Sequence, residues 1–176
     1  MALAISDIHE KGIVHFDLHS ANFIKDELGY PILIDFGCSQ TGITHPNKGA
    51  NKDGVGWSGW HVPEFDKQDG ECGKLGDWYM FGHFVYCALD GGKLMEGRAK
   101  RHVTPEEEYI PDAAKDLITR LTIHDPNKRL GLNGSEEILN HPFFEGIDWE
   151  KLRRKEYVLK KKPSKTRAET LAEFES

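Results

Sequence analysis

Apolar positions recur along this 176-residue chain with more than one period. Near the start, Leu3, Ala4 and Ile8 share one helical face and Gly12 follows as a C-terminal cap, which predicts a helix from the first residues onward, without an N-cap. Two short apolar runs, Phe23-Ile24-Lys25 and Pro31-Ile32-Leu33-Ile34, flank Asp26-Glu27-Leu28-Gly29, a turn signal that predicts a β-hairpin. Residues 38–61 are Gly- and polar-rich and read as an irregular segment. Residues 77–90 are apolar on nearly all sides and predict a buried helix ended by Gly91-Gly92. Residues 111–122 are amphipathic, with Ala113, Ala114, Leu117, Ile118 and Leu121 on one face. Asp112 and Asp116 lie toward the N-terminal end of that helix, where its dipole favours them. Ser135 precedes Glu136-Glu137-Ile138-Leu139 as the cap of a further helix. The pattern is mainly α with one short hairpin, an α+β class, and shows neither an internal repeat nor a clear second domain.

Composition narrows the setting. A chain of this length can bury one sizeable core. A net charge of −6 gives no sign of general nucleic-acid affinity. Residues 150–170 nevertheless hold nine Lys/Arg against three Glu, leaving the preceding residues acidic. That basic stretch reads either as a solvated tail or as a docking strip for an acidic partner or membrane surface. Cys38, Cys72 and Cys87 show no C-x-x-C pairing and suggest reduced thiols, an intracellular setting in cytoplasm or nucleus. The first ten residues carry no basic n-region. The longest apolar run, residues 79–89, is too short to span a bilayer, so no transmembrane segment is expected.

Two short blocks carry the chemistry. His15-Phe16-Asp17-Leu18-His19-Ser20-Ala21-Asn22 reads H-x-D-x-x-x-x-N. Ile32-Leu33-Ile34-Asp35-Phe36-Gly37 closes an apolar strand with D-F-G. Phosphoryl transfer needs a carboxylate at the attacking hydroxyl and oxygen ligands for Mg²⁺ on the β- and γ-phosphates. Asp17 suits the first role. Asn22 and Asp35 suit the second, because Mg²⁺ is hard and prefers oxygen. Either block alone is a weak signal. The hairpin between them strengthens it by returning Asn22 and Asp35 to one end.

With those residues the chain resembles the C-terminal lobe of a eukaryotic protein kinase. Val62-Pro63-Glu64 is similar to the A-P-E block that ends an activation segment. Asp77-Trp78-Tyr79-Met80-Phe81-Gly82 resembles the D-x-W-x-x-G start of the central helix. Asp125-Pro126-Asn127-Lys128-Arg129-Leu130 resembles D-P-x-x-R-L. His141-Pro142-Phe143-Phe144 followed by residues 147–152 is similar to the AGC group of serine/threonine kinases. The resemblance implies a protein kinase-like C-lobe over residues 1–148, truncated at its N-terminus, and an AGC-like basic tail over residues 149–176. It implies ATP and Mg²⁺ as cofactors and a protein as substrate. Asp17 and His19 are then catalytic, Asn22, Asp35 and Gly37 bind cofactor, and Asn22 and Asp35 hold metal. His15, Glu64, Asp77 and Arg129 are structural, with Glu64 and Arg129 expected as a buried ion pair. No G-x-G-x-x-G and no V-A-I-K lysine precede the catalytic block. The N-terminal β-rich lobe is therefore expected to be absent, leaving a fragment, a truncated gene product or a degenerate kinase. A partner protein covering the exposed small-lobe face is one implication.

Several positions depart from the kinase pattern. Phe16 stands where an arginine usually grips a loop phosphate, with Lys52-Asp53 as a possible fixed substitute in the loop. His19 replaces a lysine that contacts the γ-phosphate, and H-x-D-L-H-x-x-N is also similar to small-molecule phosphotransferases. Trp57 replaces a threonine and could close the acceptor groove. A pseudokinase or interaction fragment is thus the alternative to an enzyme, and a small-molecule kinase the third reading. His9, His15 and His19 invite a zinc reading, but in the resemblance the intervening loop is not helical and His15 packs under the catalytic loop. Trp57, Trp60, Trp78 and Trp149 read as core and loop anchors, and Thr41, Thr44 and Ser58 as possible phosphorylation sites.

Overall fold

The computed structural model describes residues 1–51, 62–66, 70–90 and 108–159. The elements Lys52-Asp53, Trp57, Ser58, Trp60, Gly91-Gly92 and residues 160–176 lie outside the described residues. Helix α1 (Ala2–Glu10) leads into a series of two-stranded antiparallel ladders. Strand β1 (Ile13–Val14) pairs with β4 (Gln40–Thr41), β2 (Phe23–Lys25) with β3 (Pro31–Leu33), and β5 (Ala50–Asn51) with β6 (Glu71–Cys72). Helices α2 (Lys74–Leu89), α3 (Asp112–Leu121), α4 (Glu136–Leu139) and α5 (Trp149–Arg153) follow.

Helix α2 is the axis of the core. Leu75, Trp78, Tyr79, Met80, Phe81, Val85 and Tyr86 are all buried on it, as its all-round apolar pattern requires. It begins at Lys74, three residues before the predicted start. Helix α3 lies across it with Ala114, Leu117, Ile118 and Leu121 buried. Each of these larger side chains contributes about 1.5–3 kcal/mol of apolar burial. The two helices approach so closely that a Cβ on Gly82 would sit 2.9 Å from the Leu121 Cβ, so only glycine fits there.

The predicted hairpin is present, with Ile24 opposite Ile32 and Phe23 opposite Leu33. Its turn is built by Asp26, whose Oδ1 accepts the N–H groups of Leu28 at 3.0 Å and Tyr30 at 2.8 Å.

Four expectations are corrected. The buried face of α1 is Ala2, Leu3, Ile5, Ser6 and His9, not Leu3 with Ala4 and Ile8. The physical reason is His9, whose ring is drawn inward to a carboxylate on α2. Ser135 makes no side-chain capping bond to α4. Glu137 serves that region instead, accepting from the Gly131 and Asn133 backbone at 2.8 and 3.3 Å. The segment after residue 38 is not wholly irregular, because β4 and β5 lie within it. The tail from Trp149 is largely exposed over its described part, as a solvated tail would be, but several of its cations are paired rather than free. Arg153 pairs with Asp7, Lys155 with Asp26 and Arg154 with Glu156. Trp149 packs edge-on against Phe144 and donates its indole N–H to the Leu139 carbonyl at 3.0 Å. Among the described residues no helix is long and apolar enough to cross a membrane.

A buried ion pair closes the lower core. Arg129 donates to both oxygens of Glu64, at 2.6 and 3.1 Å, and to the carbonyls of Leu75, Ile123 and His124. All five guanidinium N–H groups are thereby used, and the group also lies 4.8 Å over the Tyr79 ring. Removing one member of such a pair strands a buried charge. Arg129→Ala is expected to destabilise the fold by roughly 3–5 kcal/mol in urea unfolding, and to expose the chain near Glu64 to proteolysis. A change near zero would contradict the burial seen here.

Candidate active site

One carboxylate shapes the loop that carries Asp17. Asp77, in the first turn of α2, is fully buried. Its Oδ2 accepts from His9 Nε2 and from the His15 N–H, and its Oδ1 from the Phe16 N–H, each at 2.8 Å. Two consecutive backbone donors converging on one carboxylate bend the chain sharply, and Phe16 adopts φ +59. That left-handed conformation is unfavourable for a bulky residue and persists because Asp77 holds it. The Phe16 ring turns into the core, 2% exposed, with the Phe65 ring at 6.2 Å. The position expected to lack a phosphate-gripping arginine is thus an apolar plug beneath residues 62–66.

The bend presents Asp17 at the surface of the core. His15 is buried below it, bonding the Ile34 carbonyl through Nε2 at 3.0 Å and accepting the Asp17 N–H at Nδ1. Asn22, buried in a 3-10 turn (Ser20–Asn22), donates its amide N–H to the Asp17 carbonyl at 2.8 Å and to Asp17 Oδ2 at 3.0 Å. This fixes the amide orientation and leaves the Asn22 side-chain oxygen available as a ligand. His19 Nδ1 accepts the Ala21 N–H, so the proton of the neutral ring sits on Nε2, 3.4 Å from Asp17 Oδ1. Both Asp17 oxygens therefore have a neighbour.

The hairpin brings the second block to the same place. The Ile34 N–H donates to the Asn22 carbonyl at 2.9 Å, closing the open end of β2–β3. Asp35 follows at φ +60 and is exposed, its Oδ1 accepting the Gly37 N–H at 3.2 Å. A Cβ on Gly37 would lie 3.1 Å from that oxygen, so a side chain would press on the carboxylate. The Phe36 ring packs edge-on against His15. Burial first, and then the negative charges of Asp17 and Asp35, push the Cys38 thiol above its usual range. One thiol thus senses both carboxylates.

The donor set suits Mg²⁺: an amide oxygen on Asn22, one uncommitted carboxylate oxygen on Asp35, and a neighbouring thiol held protonated. Among the described residues no group of three or more His, Cys, Asp and Glu is placed to hold a metal, so further ligands would come from phosphate or water. Asp17, His19, Asn22, Asp35, Gly37 and His15 are thus brought together, with Asp77 beneath them. Glu64 and Arg129 form a separate structural pair. Sequence reasoning singled out His9 only in a zinc reading and missed its bond to Asp77, which becomes legible only when that face of α1 is known to be buried. It also missed the place of Cys38 beside Asp17 and Asp35, which no motif marks.

A family model for the protein kinase domain matches residues 1–144. The chain belongs to the protein kinase family. Its relatives include a probable serine/threonine-protein kinase of Dictyostelium discoideum, 31% identical over 183 residues, covering 99% of this chain and 40% of that protein. Ribosomal protein S6 kinase alpha-2 of Homo sapiens is 30% identical over 185 residues, covering 99% of this chain and 25% of the relative. A serine/threonine-protein kinase of Arabidopsis thaliana is 31% identical over 182 residues, covering 98% and 38%. The kinase chain described here thus spans a quarter to two fifths of these relatives.

The shared electrostatics of this candidate site can be read without nucleotide. Neutralising Asp35 as Asn, or adding Mg²⁺, is expected to lower the Cys38 thiol toward its ordinary value. Alkylation of Cys38 by iodoacetamide at about pH 8 should then accelerate, as followed by peptide mass spectrometry. Cys72, buried and pushed well up by that burial, serves as the unreactive control. An unchanged Cys38 rate would separate it from Asp35.

Proposed function

We propose that the chain is the C-terminal lobe of an AGC-like protein serine/threonine kinase, transferring the ATP γ-phosphoryl group to a protein hydroxyl when a small lobe completes the site. The observation that carries this reading is the joined set Asp17, Asn22 and Asp35, with Asn22 hydrogen-bonded to Asp17 and the hairpin closing beside Asp35. Asp17 orients the acceptor hydroxyl and takes its proton while the acceptor oxygen bonds the γ-phosphorus and ADP leaves. Asn22 and Asp35 would hold Mg²⁺, which would neutralise charge on the β- and γ-phosphates. His19 donates one neutral hydrogen bond where a lysine would bring a full charge.

An apolar face next to the site supports the expectation of a covering lobe or partner protein. Ile24 and Ile32 pair across the hairpin yet are 47% and 41% exposed, and Leu28 and Phe36 are also exposed. Such a patch marks an interaction surface. The three free cysteines fit a cytoplasmic or nuclear setting. The alternative, a pseudokinase, draws on Phe16 and His19. It is separated from the enzyme reading by phosphate transfer in a full-length protein, with Asp17→Asn as the blank.

Asp35→Ala is expected to abolish Mg-dependent ATP binding while the urea midpoint stays near that of the parent, because Asp35 is exposed. Calorimetry with and without Mg²⁺ checks this, and an unchanged affinity would remove Asp35 from the site.

The buried Phe16 gives a second expectation. With no arginine at that position, a phosphate on the activation segment has no anchor there. Full-length protein with Thr41, Thr44 and Ser58 all changed to Ala should retain transfer activity against a basic peptide. Activity that disappears in this variant and returns only with a phosphate on one of the three residues would require another cation as anchor.

A further inference from the structure

Helix α5 ends in a Schellman arrangement, with the Lys155 N–H on the Leu152 carbonyl and the Glu156 N–H on the Lys151 carbonyl, both at 3.0 Å. The left-handed residue of that arrangement is Lys155, at φ +56. Glycine is the usual occupant, since a side chain there meets a steric penalty. What opposes the penalty lies 129 residues away. The Lys155 ammonium sits 2.7 Å from Asp26 Oδ2, on the same carboxylate that builds the hairpin turn through its other oxygen. That contact, first among several causes, holds the Asp26 carboxyl below its ordinary range.

Two further anchors bind this segment to the body. Tyr30, buried at the end of the same turn, donates its hydroxyl to the Tyr157 carbonyl at 2.7 Å. Arg153 reaches Asp7 on α1 at 2.6 Å. Tyr157 is itself fixed, its hydroxyl accepting the Asp148 N–H at 2.9 Å with the Lys151 ammonium 5.3 Å from its ring centre. The hairpin that receives these contacts has three-residue strands and exposes Ile24 and Ile32 on one face. A two-stranded ladder so short is marginal by itself. Its open end leads on one strand from Asn22 and on the other, through Ile34, to Asp35.

We infer that residues 153–159 form a strap whose joint with the hairpin, Lys155 and Tyr157 on Asp26 and Tyr30, positions the Asn22–Asp35 end of the candidate site. Lys155 and Tyr30 are positioning residues in this scheme and touch no substrate. Their effect on the site rests on reading it as a Mg-nucleotide site; the strap itself does not.

Lys155→Gly separates a local role from this one, because the two predict opposite signs. Glycine relaxes the left-handed residue but removes the ammonium from Asp26. The strap predicts that the hairpin amides of residues 23–34 exchange about tenfold faster with deuterium, while those of α2 are unchanged. It also predicts that the Mg²⁺ concentration needed for half-maximal ATP binding rises several-fold, and that Lys155→Arg restores both values. Tyr30→Phe, which keeps the ring and removes only the hydroxyl, should act in the same direction. Unchanged or slower hairpin exchange in both variants overturns the strap. Faster exchange with an unchanged Mg²⁺ requirement overturns its link to the site. These binding measurements use the full-length protein; if its unsubstituted form binds no Mg-ATP, the nucleotide reading fails, and the exchange measurement still decides the strap.

Discussion

The geometry of the candidate site depends on a single buried carboxylate. Asp77 sits where water cannot reach it, and an isolated charge there would be very unfavourable. It is tolerated because a histidine ring and two backbone N–H groups converge on it. The same three bonds convert a flexible stretch of backbone into a bend of one shape. Phe16 is forced into the left-handed region and inward, and Asp17 outward. Asn22 then locks onto Asp17, and His15 ties the bend to the strand that ends at Asp35. The geometry of the candidate site is thus a consequence of how one buried charge is neutralised.

How much of this was legible in the sequence follows from the range of each interaction. The hairpin could be read because its signals are local: Asp26 and Gly29 in a four-residue turn between two apolar runs. Helix α3 could be read because one apolar stripe faces one neighbour. The two-residue strands β1, β4, β5 and β6 are too short for any period to register. Ser135 looked like a cap because of its residue type alone, but the first-turn N–H groups of Glu137 and Ile138 bond the Gly134 and Ser135 carbonyls instead. The inward turn of His9 was illegible, since nothing within α1 signals a carboxylate 68 residues away. The docking of the tail was illegible for the same reason. Its lysines and arginines look like a solvated run until Asp7 and Asp26 are seen beside them.

The motif residues are a different case. Asp17, Asn22, Asp35, Glu64 and Arg129 were singled out by resemblance and by the chemistry of oxygen ligands, not by periodicity. The structure adds the contacts that make their types necessary: the amide of Asn22 oriented by Asp17, and the guanidinium of Arg129 fully occupied. It also shows that the departures from the kinase pattern are accommodated without disturbing that set. Phe16 fills core space instead of reaching outward, and His19 stays beside the Asp17 carboxylate.

The distance along the chain between the bend and its anchor has a consequence for biosynthesis. His15 and Phe16 leave the ribosome some 61–62 residues before Asp77 does. Until α2 is made, the His15–Asn22 stretch has nothing to hold Phe16 left-handed, and its two N–H groups remain with water. The bonds that bend this stretch and bury the Phe16 ring all require Asp77 on the central helix to be in place. The loop can take this shape only once α2 has been made, so the speed with which α2 forms and packs limits how soon Asp17 is positioned.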